Sequence, residues 1–536
     1  MCMSRSGDVT KTHTVHALSL HVQISRAGLE THPKLGNFLV QSLAAEATSL
    51  HECRQVFEKL SYKSVCSWNS LVNGYARHNY PEDALRVFHK MQEFSVDPDR
   101  YTLVAILKTC IKLNRIQTGL EIHAHIKEKG IAIDIFLGSI LVDMYGRYGF
   151  LEEALEVFEN LQVRDVVLWT SLITGYAEQG QVEESIRLLE RMQLEGICPD
   201  AILFLCCLNA CSSEGIIEKG REIHAVVVGR GILDNNLKVS NALIDMYAKC
   251  GLFEDAKGVF EKLPVRDIVS WNALITGYTK LGYNCEALAC FDQMKLGKVS
   301  PDIITFICVI KSCGSICAIE KGCNIHDEVN KRGLLKEAIG IDTGNALIAM
   351  YASFGNLRKA EEVFDQLPAK DVISWTTLIS GYINHGCSEK ALNCFECLQV
   401  EAVCPSNLTY KNVLKACGNS GAIKKGQQLH GDIARKGLLE IEAFLCDALI
   451  GMYASCGLFL EANAVLEKLQ VQDTASWTAL IVGYLKYDRT KEALDCLKEM
   501  QVSGASPDVF TFVCSLKACG AVKYVEKGQQ LHAEII

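Results

Sequence analysis

Apolar residues recur along this chain at three- and four-residue intervals. Trp68, Leu71, Val72 and Tyr75 fall at i, i+3, i+4 and i+7, and so do Trp271, Leu274, Ile275 and Tyr278. That spacing is the stripe of an amphipathic helix. A second stripe follows, in which Ala84, Val87, Phe88 and Met91 keep the same offsets. Glu82 and Asp83 sit in its first turn, where the helix dipole favours acids. The two stripes predict a helical hairpin. Pro-Asp or Pro-Ser closes it, as at Pro98-Asp99, Pro199-Asp200, Pro301-Asp302, Pro405-Ser406 and Pro507-Asp508.

The hairpin repeats. The segment WNSLVNGY at Trp68 returns at Trp169, Trp271, Trp375 and Trp477, with spacings of 101, 102, 104 and 102 residues, and holds all five tryptophans. A fixed period decides the architecture before any single residue does. Gly74, Gly175, Gly277, Gly381 and Gly483 recur inside the first helix. A helix-interior glycine costs stability, so its return suggests that neighbouring helices approach closely there.

Reading outward from the tryptophans divides residues 33–508 into fourteen hairpins of three cycling classes. The Trp units have 35 residues, a long class 35 to 38, and a short class 31 or 32. The long class reads TLVAILKTC at Thr102 and carries His123, His224, His326, His430 and His532 in one register; the short class reads NALIDMYAKCG at Asn241. Residues 1–32 match most of a long unit through His21 and Gly28, and 509–536 match another that stops inside its second helix. Each unit buries its apolar face only on its neighbours. The expectation is therefore a fragment or an incomplete gene model.

The composition narrows the function. A net charge of −9 gives no support to a generally basic, nucleic-acid-coating protein, although a locally basic groove is compatible with it. The 25 cysteines are odd in number, and several return in repeat register, as at Cys110, Cys211, Cys313, Cys417 and Cys519. A recurring cysteine in an apolar helix reads as a small buried hydrophobe, in a reducing compartment. No apolar run approaches the ~20 residues of a membrane span.

The pattern resembles the plant pentatricopeptide-repeat family, in its subclass with alternating P, L and S motifs. SWNALITGY…EALACFDQM…SPD is similar to the P motif, TLVAILKTC…GLEIHAHIKEKG to the L motif, and NALIDMYAKCGLFEDAKGVFEKLPVRD to the S motif. The resemblance covers nearly the whole chain. It implies an all-α fold, a right-handed α-solenoid superhelix of helix-turn-helix repeats in S-P-L order. It also implies that single-stranded organellar RNA is read at about one base per repeat.

Numbering each unit from its first residue, position 5 is polar in every Trp unit and every short unit: Asn37, Asn69, Ser139, Thr170, Asn241, Asn272, Asn345, Thr376, Asp447 and Thr478. Such side chains donate and accept, as reading a base edge requires; the alternative is a solvated helix face. The last position is mostly acidic, with Asp99, Asp165, Asp200, Asp267, Asp302, Asp371, Asp473 and Asp508, and Ser64 and Ser406 in two units. An Asp before a helix is a natural N-cap, and capping does not exclude contact with a base. Position 13 carries Arg77, Lys112, Arg147, Lys249, Lys280 and Lys486, with Glu178 breaking the row. These cations suit RNA phosphates or are ordinary surface charge. Position 2 is apolar in Val167, Val269 and Ile373. The family sandwiches bases with such residues; in isolation they read as core.

The family's code carries over pair by pair. It implies C for Asn37 with Ser64, and U for Asn69 with Asp99. Asn241 with Asp267, Asn272 with Asp302, and Asn345 with Asp371 also imply U. Thr170 with Asp200 and Thr478 with Asp508 imply G, which Ser139 with Asp165 resembles. Thr376 with Ser406 implies A. Asp447 with Asp473 departs from the pattern, and the long units carry Val104, Leu205, Ile307, Lys411 and Val513 at position 5. The expected site is C-U-n-G-G-n-U-U-n-U-A-n-n-G.

Many relatives in the family continue into a C-terminal deaminase domain. A zinc deaminase needs H-x-E followed by P-C-x-x-C. His326-Asp327-Glu328 and Cys394-Phe395-Glu396-Cys397 imitate the two halves, but His326 belongs to the repeat register and Asn393 replaces the proline. The expectation is a chain with no catalytic site, metal or cofactor of its own. Two functions remain. One is sequence-specific RNA binding that specifies a C-to-U editing or processing site, with editing cofactors or a deaminase supplied in trans. The other is a protein-binding helical scaffold. The family works mainly in mitochondria and chloroplasts; no clear transit peptide is visible.

Overall fold

The computed structural model describes residues 24, 32–45, 50–335, 340–439, 443–469 and 472–535, so most of the expected partial unit at 1–32 lies outside them. The chain divides into two compact units, residues 1–265 and 266–536. Within each, the described residues form antiparallel helical pairs and no strand, an α-solenoid as the period predicts. The first unit runs from Pro33–Leu43 to Phe253–Glu261, and the second from Ile268–Lys280 to Val525–Ile535.

In the Trp units both helices have 13 residues, as in Val166–Glu178 and Val182–Leu194. Short units keep a first helix of similar length, but their second helix has only nine or ten residues, as in Leu151–Glu159 and Leu357–Gln366. That difference accounts for the short period. A tight turn joins the two helices and needs a left-handed residue, supplied by Gly180 at φ 76° and by Asn79 at φ 69°.

The first-helix stripes are the core. Trp68, Trp169, Trp375 and Trp477 are buried with the leucine and the isoleucine or valine that follow them. Each of the first three meets the edge of a phenylalanine from the second helix of the preceding short unit. These pairs are Phe57–Trp68 at 4.6 Å, Phe158–Trp169 at 4.5 Å and Phe364–Trp375 at 4.6 Å. Edge-to-face pairing adds to the burial of these rings. The short unit thus ends in half of a socket that the next Trp unit fills.

The recurring glycines mark contact between first helices. A Cβ on Gly175 would stand 2.7 Å from Gly146 Cα, and one on Gly483 2.4 Å from Ala454 Cβ. The repeated cysteines are buried, and burial pushes the thiols of Cys110, Cys211 and Cys313 up to about 11. They pack as hydrophobes.

The histidine register has a partner that the sequence pattern does not reveal. His224, His326 and His430 each place Nδ1 2.8 to 2.9 Å from the hydroxyl of Tyr247, Tyr351 and Tyr453, in the first helix of the following short unit. His123 does the same with Tyr145 at 2.5 Å. These histidines tie long units to short ones, and burial lowers the pKa of all four. His326 is therefore committed to Tyr351, and no group of three metal-ligating side chains occurs among the described residues.

Candidate nucleic-acid interface

The last residue of each unit begins the next first helix. Asp99, Asp165, Asp200, Asp267, Asp302, Asp371, Asp473 and Asp508 each accept the backbone N–H of the residue three further on, at 2.7 to 2.9 Å. Ser64 and Ser406 do so at 3.2 Å. Capping is thus shown for every last-position residue named from the sequence. It satisfies helix-start donors that would otherwise be orphaned.

Position 5 lies one turn inside the first helix and looks toward the next cap. Asn37, Asn69, Ser139, Asn241, Asn345, Thr376 and Thr478 are buried; Thr170 and Asn272 are half-buried. Asn272 Nδ2 donates to both oxygens of Asp302, at 3.0 and 3.1 Å, and Asn345 Nδ2 donates to Asp371 at 3.4 Å. Because a carboxylate only accepts, it turns the amide nitrogen toward itself. In Asn37 the amide is reversed: its Oδ1 accepts from the Ser64 N–H at 3.1 Å, and its Nδ2 donates to the Tyr62 carbonyl. Asn241 belongs to the first compact unit and Asp267 to the second.

Several of these polar atoms stay unmatched. Asn69 Oδ1, Asn345 Oδ1 and Thr170 Oγ1 are buried without a hydrogen-bond partner. A buried polar group without a partner is costly and calls for an explanation. The Ser139 hydroxyl turns back to the Ile135 carbonyl at 2.6 Å.

Asp447 is the exception in chemistry. Burial raises its pKa, and neighbouring Asp473 raises it further, against a hydrogen bond from the Ser476 hydroxyl. Asp371 is held below the usual range: burial pushes it up, but the Ser374 backbone and hydroxyl and the Asn345 amide outweigh that.

Position 2 corrects the reading of these residues as core. Val167, Val269 and Ile373 are 61, 53 and 54% exposed. The same register holds Tyr101, Phe136, Ile202, Ile304, Leu408 and Phe510, all exposed. The sequence reading noticed only three of this row, although the spacing alone identifies the rest. Apolar side chains stand in water here because the stripe that packs begins two residues later.

The cations at position 13 are exposed and partly engaged. Arg147 pairs with Asp143 at 2.9 Å, and Lys249 with Asp245 at 2.6 Å. Lys486 donates to the Ser455 carbonyl at 2.8 Å, and Lys112 donates to Asn79. Arg77 and Lys280 are exposed as well. In the first unit a groove of about 800 Å³ gathers these classes, with Asn69, Asp99, Tyr101, Arg77, Lys112 and Phe136 in its lining. In the second, a groove of about 610 Å³ is lined by Ile373, Thr376, Ser406 and Leu408.

Stacked helical pairs with one polar row and one exposed apolar row define a helical-repeat binding protein. The matching sequence families are described as the PPR repeat family, at residues 63–112, 164–213, 266–315, 370–419 and 472–521, and the PPR repeat, at 139–166, 239–268 and 345–372. The chain is 32% identical over 516 residues to the Arabidopsis thaliana pentatricopeptide repeat-containing protein At2g33680, covering 95% of this chain and 70% of that one. It is 30% identical to At4g18520 of the same plant, named chloroplastic, covering 92% of this chain and 79% of the relative. This chain belongs to the pentatricopeptide-repeat family. Its fold is similar to the crystal structure of the maize protein PPR10, with a TM-score of 0.64 at 19% identity, over 92% of this chain and 77% of that one.

Proposed function

We propose that this chain binds single-stranded RNA by sequence, with the Trp and short units each reading one base. The observation that carries the reading is the pairing of Asn272 with Asp302, an oriented amide beside exposed Val269 and Ile304. A held amide offers one free donor and one free acceptor, which is what a pyrimidine edge requires. The exposed apolar row supplies surfaces on which bases stack without regard to sequence. PPR10 has also been crystallised with an 18-nt psaJ RNA element, and this fold resembles that complex with a TM-score of 0.57.

On this reading the alternating units place the chain in the P, L and S subclass. The RNA is organellar: relatives from Arabidopsis thaliana are named chloroplastic and mitochondrial. The bound site is one for C-to-U editing or processing, with the chemistry supplied by a deaminase or editing cofactors in trans. The competing reading, a protein-binding scaffold, draws on Leu194, Leu296, Val400 and Val502. These aliphatic residues occupy one register of the Trp units' second helices and are 83 to 89% exposed.

The test is a binding titration with C-U-n-G-G-n-U-U-n-U-A-n-n-G at two salt concentrations. The control RNA carries C in place of the U opposite units 268–302 and 341–371. The matched RNA is expected to bind more tightly by about 1–3 kcal/mol per altered base. Equal binding of the two RNAs, or none, would overturn sequence reading and leave the scaffold.

A further inference from the structure

Each reading pair has a third neighbour, the residue at position 3 of the following unit. In most of the chain that residue is a serine or threonine, fully buried: Ser67, Thr102, Thr305, Ser374, Thr409 and Thr511 are all 0% exposed. It sits on the helix turn that the last-position residue caps; in four units its hydroxyl reaches both members of the pair, Ser374 reaches Asp371 alone, and the Thr102 hydroxyl is buried without a hydrogen-bond partner.

The hydrogen bonds make the arrangement explicit. Thr305 Oγ1 has two acceptors for its one proton, Asn272 Oδ1 at 2.6 Å and Asp302 Oδ1 at 2.8 Å. Thr409 Oγ1 lies 2.6 Å from Thr376 Oγ1 and 2.8 Å from Ser406 Oγ. Thr511 Oγ1 lies 2.7 Å from both Thr478 Oγ1 and Asp508 Oδ1. Ser67 Oγ donates to Asn37 Oδ1 at 2.5 Å and lies 3.0 Å from Ser64 Oγ. Four differently composed pairs are thus bridged in the same way.

We propose that this buried hydroxyl is the positioning residue of the reader, and that it sets how sharply each unit discriminates. The inference rests on the RNA reading above. A hydroxyl has one proton and two lone pairs. Shared between the carbonyl of Asn272 and the carboxylate of Asp302, the proton favours oxygen at that end of the amide while Asp302 accepts from the nitrogen at the other, which opposes turning the amide over. An amide free to flip exchanges donor for acceptor and accepts either pyrimidine. Against Thr376 and Thr478, which already donate to the carbonyls of Val372 and Thr474 at 2.6 and 2.7 Å, the hydroxyl occupies the threonine oxygen from the other side.

Two pairs have no hydroxyl at this position at all. Leu168 stands beside Ser139 and Asp165, and Leu203 beside Thr170 and Asp200. There the Thr170 hydroxyl is left without a partner, whereas Thr376 and Thr478 are bridged. These two adjacent units are therefore expected to read more loosely than the four bridged ones.

The experiment measures binding to four RNAs that differ only in the base opposite unit 268–302, for the parent chain, Thr305→Val and Thr305→Ser. The parent is expected to prefer its base on the order of tenfold. Thr305→Val, equal in shape, is expected to reduce that preference to within about twofold, while selection at the nucleotide opposite unit 341–371 is unchanged. Thr305→Ser is expected to restore it. A merely structural role would lower affinity for all four RNAs equally. In the reciprocal variant, Leu203→Thr, the nucleotide opposite unit 166–200 is expected to gain discrimination; this arm stands even if Thr305→Val fails to fold. Undiminished selectivity in Thr305→Val, or no gain in Leu203→Thr, overturns the positioning role while the RNA reading stands. A parent that discriminates at no nucleotide overturns the RNA reading, and this inference with it.

Discussion

The Trp and short units keep a hydrogen-bonding side chain at position 5 of the first helix, whereas four of the five long units keep an aliphatic one there. The long units place their distinctive polar residue on the second helix, as the histidines that bond Tyr145, Tyr247, Tyr351 and Tyr453. Both kinds begin the following helix with a cap. Asp134, which ends a long unit, accepts the Leu137 N–H at 2.9 Å just as Asp165 accepts that of Leu168 at 2.8 Å. The capping aspartate is therefore common architecture. On the proposed RNA reading it becomes half of a reader only where position 5 can hydrogen-bond, and in the unit that Asp134 ends position 5 is buried Val104.

The hardest blow to this comparison falls on the packing. Trp375→Ala empties a buried socket and is expected to cost about 3–5 kcal/mol in urea unfolding. Ile373→Ala, two residues earlier, is expected to change stability by less than about 0.5 kcal/mol and to weaken RNA binding instead. If both act alike, the exposed row is not a binding surface.

A long unit can be converted. Val104→Asn places an amide next to Asp134 and is expected to add about 1–3 kcal/mol of preference at a nucleotide the parent does not read. RNA panels varied opposite unit 100–134 measure it; no gain there would mean that position 5 is not what separates the classes.

Removing caps separates stability from reading. Asp371→Ala and Asp134→Ala are each expected to lose about 1 kcal/mol of stability. Only Asp371→Ala is expected to lose base selection as well. Equal loss of selection from both would make the aspartate a reader on its own.

The smallest effect concerns pH. Burial lowers the folded-state pKa of His326 below 6.5. A depressed histidine contributes stability that is present above 6.5 and lost as pH falls through its folded pKa, because the unfolded chain takes up the proton first. Melting temperature is therefore expected to fall between about pH 7.5 and 5.5, and less steeply in His326→Phe. Equal slopes would show that Tyr351 tolerates the imidazolium.

Much of the fold was legible because its information is local. A 3.6-residue stripe, a recurring Pro-Asp and an interior glycine each state what a helix must do, and the close approach of Gly175 to Gly146 follows from them. The position 5 and last-position residues were legible as a set, since their types recur at fixed offsets. What those residues touch was not. The hydroxyls of Thr305, Thr409 and Thr511 sit in a visible register, three residues after each cap. Yet that register alone does not distinguish a helix-start hydroxyl bonded to its own backbone from one bonded to the preceding unit.

By itself the amino-acid sequence determined the period, the helices, the caps and the chemical types along the polar row. Tertiary structure alone decided which way each side chain was committed. It put Val167 and Ile373 in water and the histidines on tyrosines. It turned the amides of Asn37 and Asn272 in opposite senses. The reason is that a hydrogen bond needs two partners at about 3 Å. Here those partners lie some thirty residues apart, brought together only when one helical pair stacks on the next.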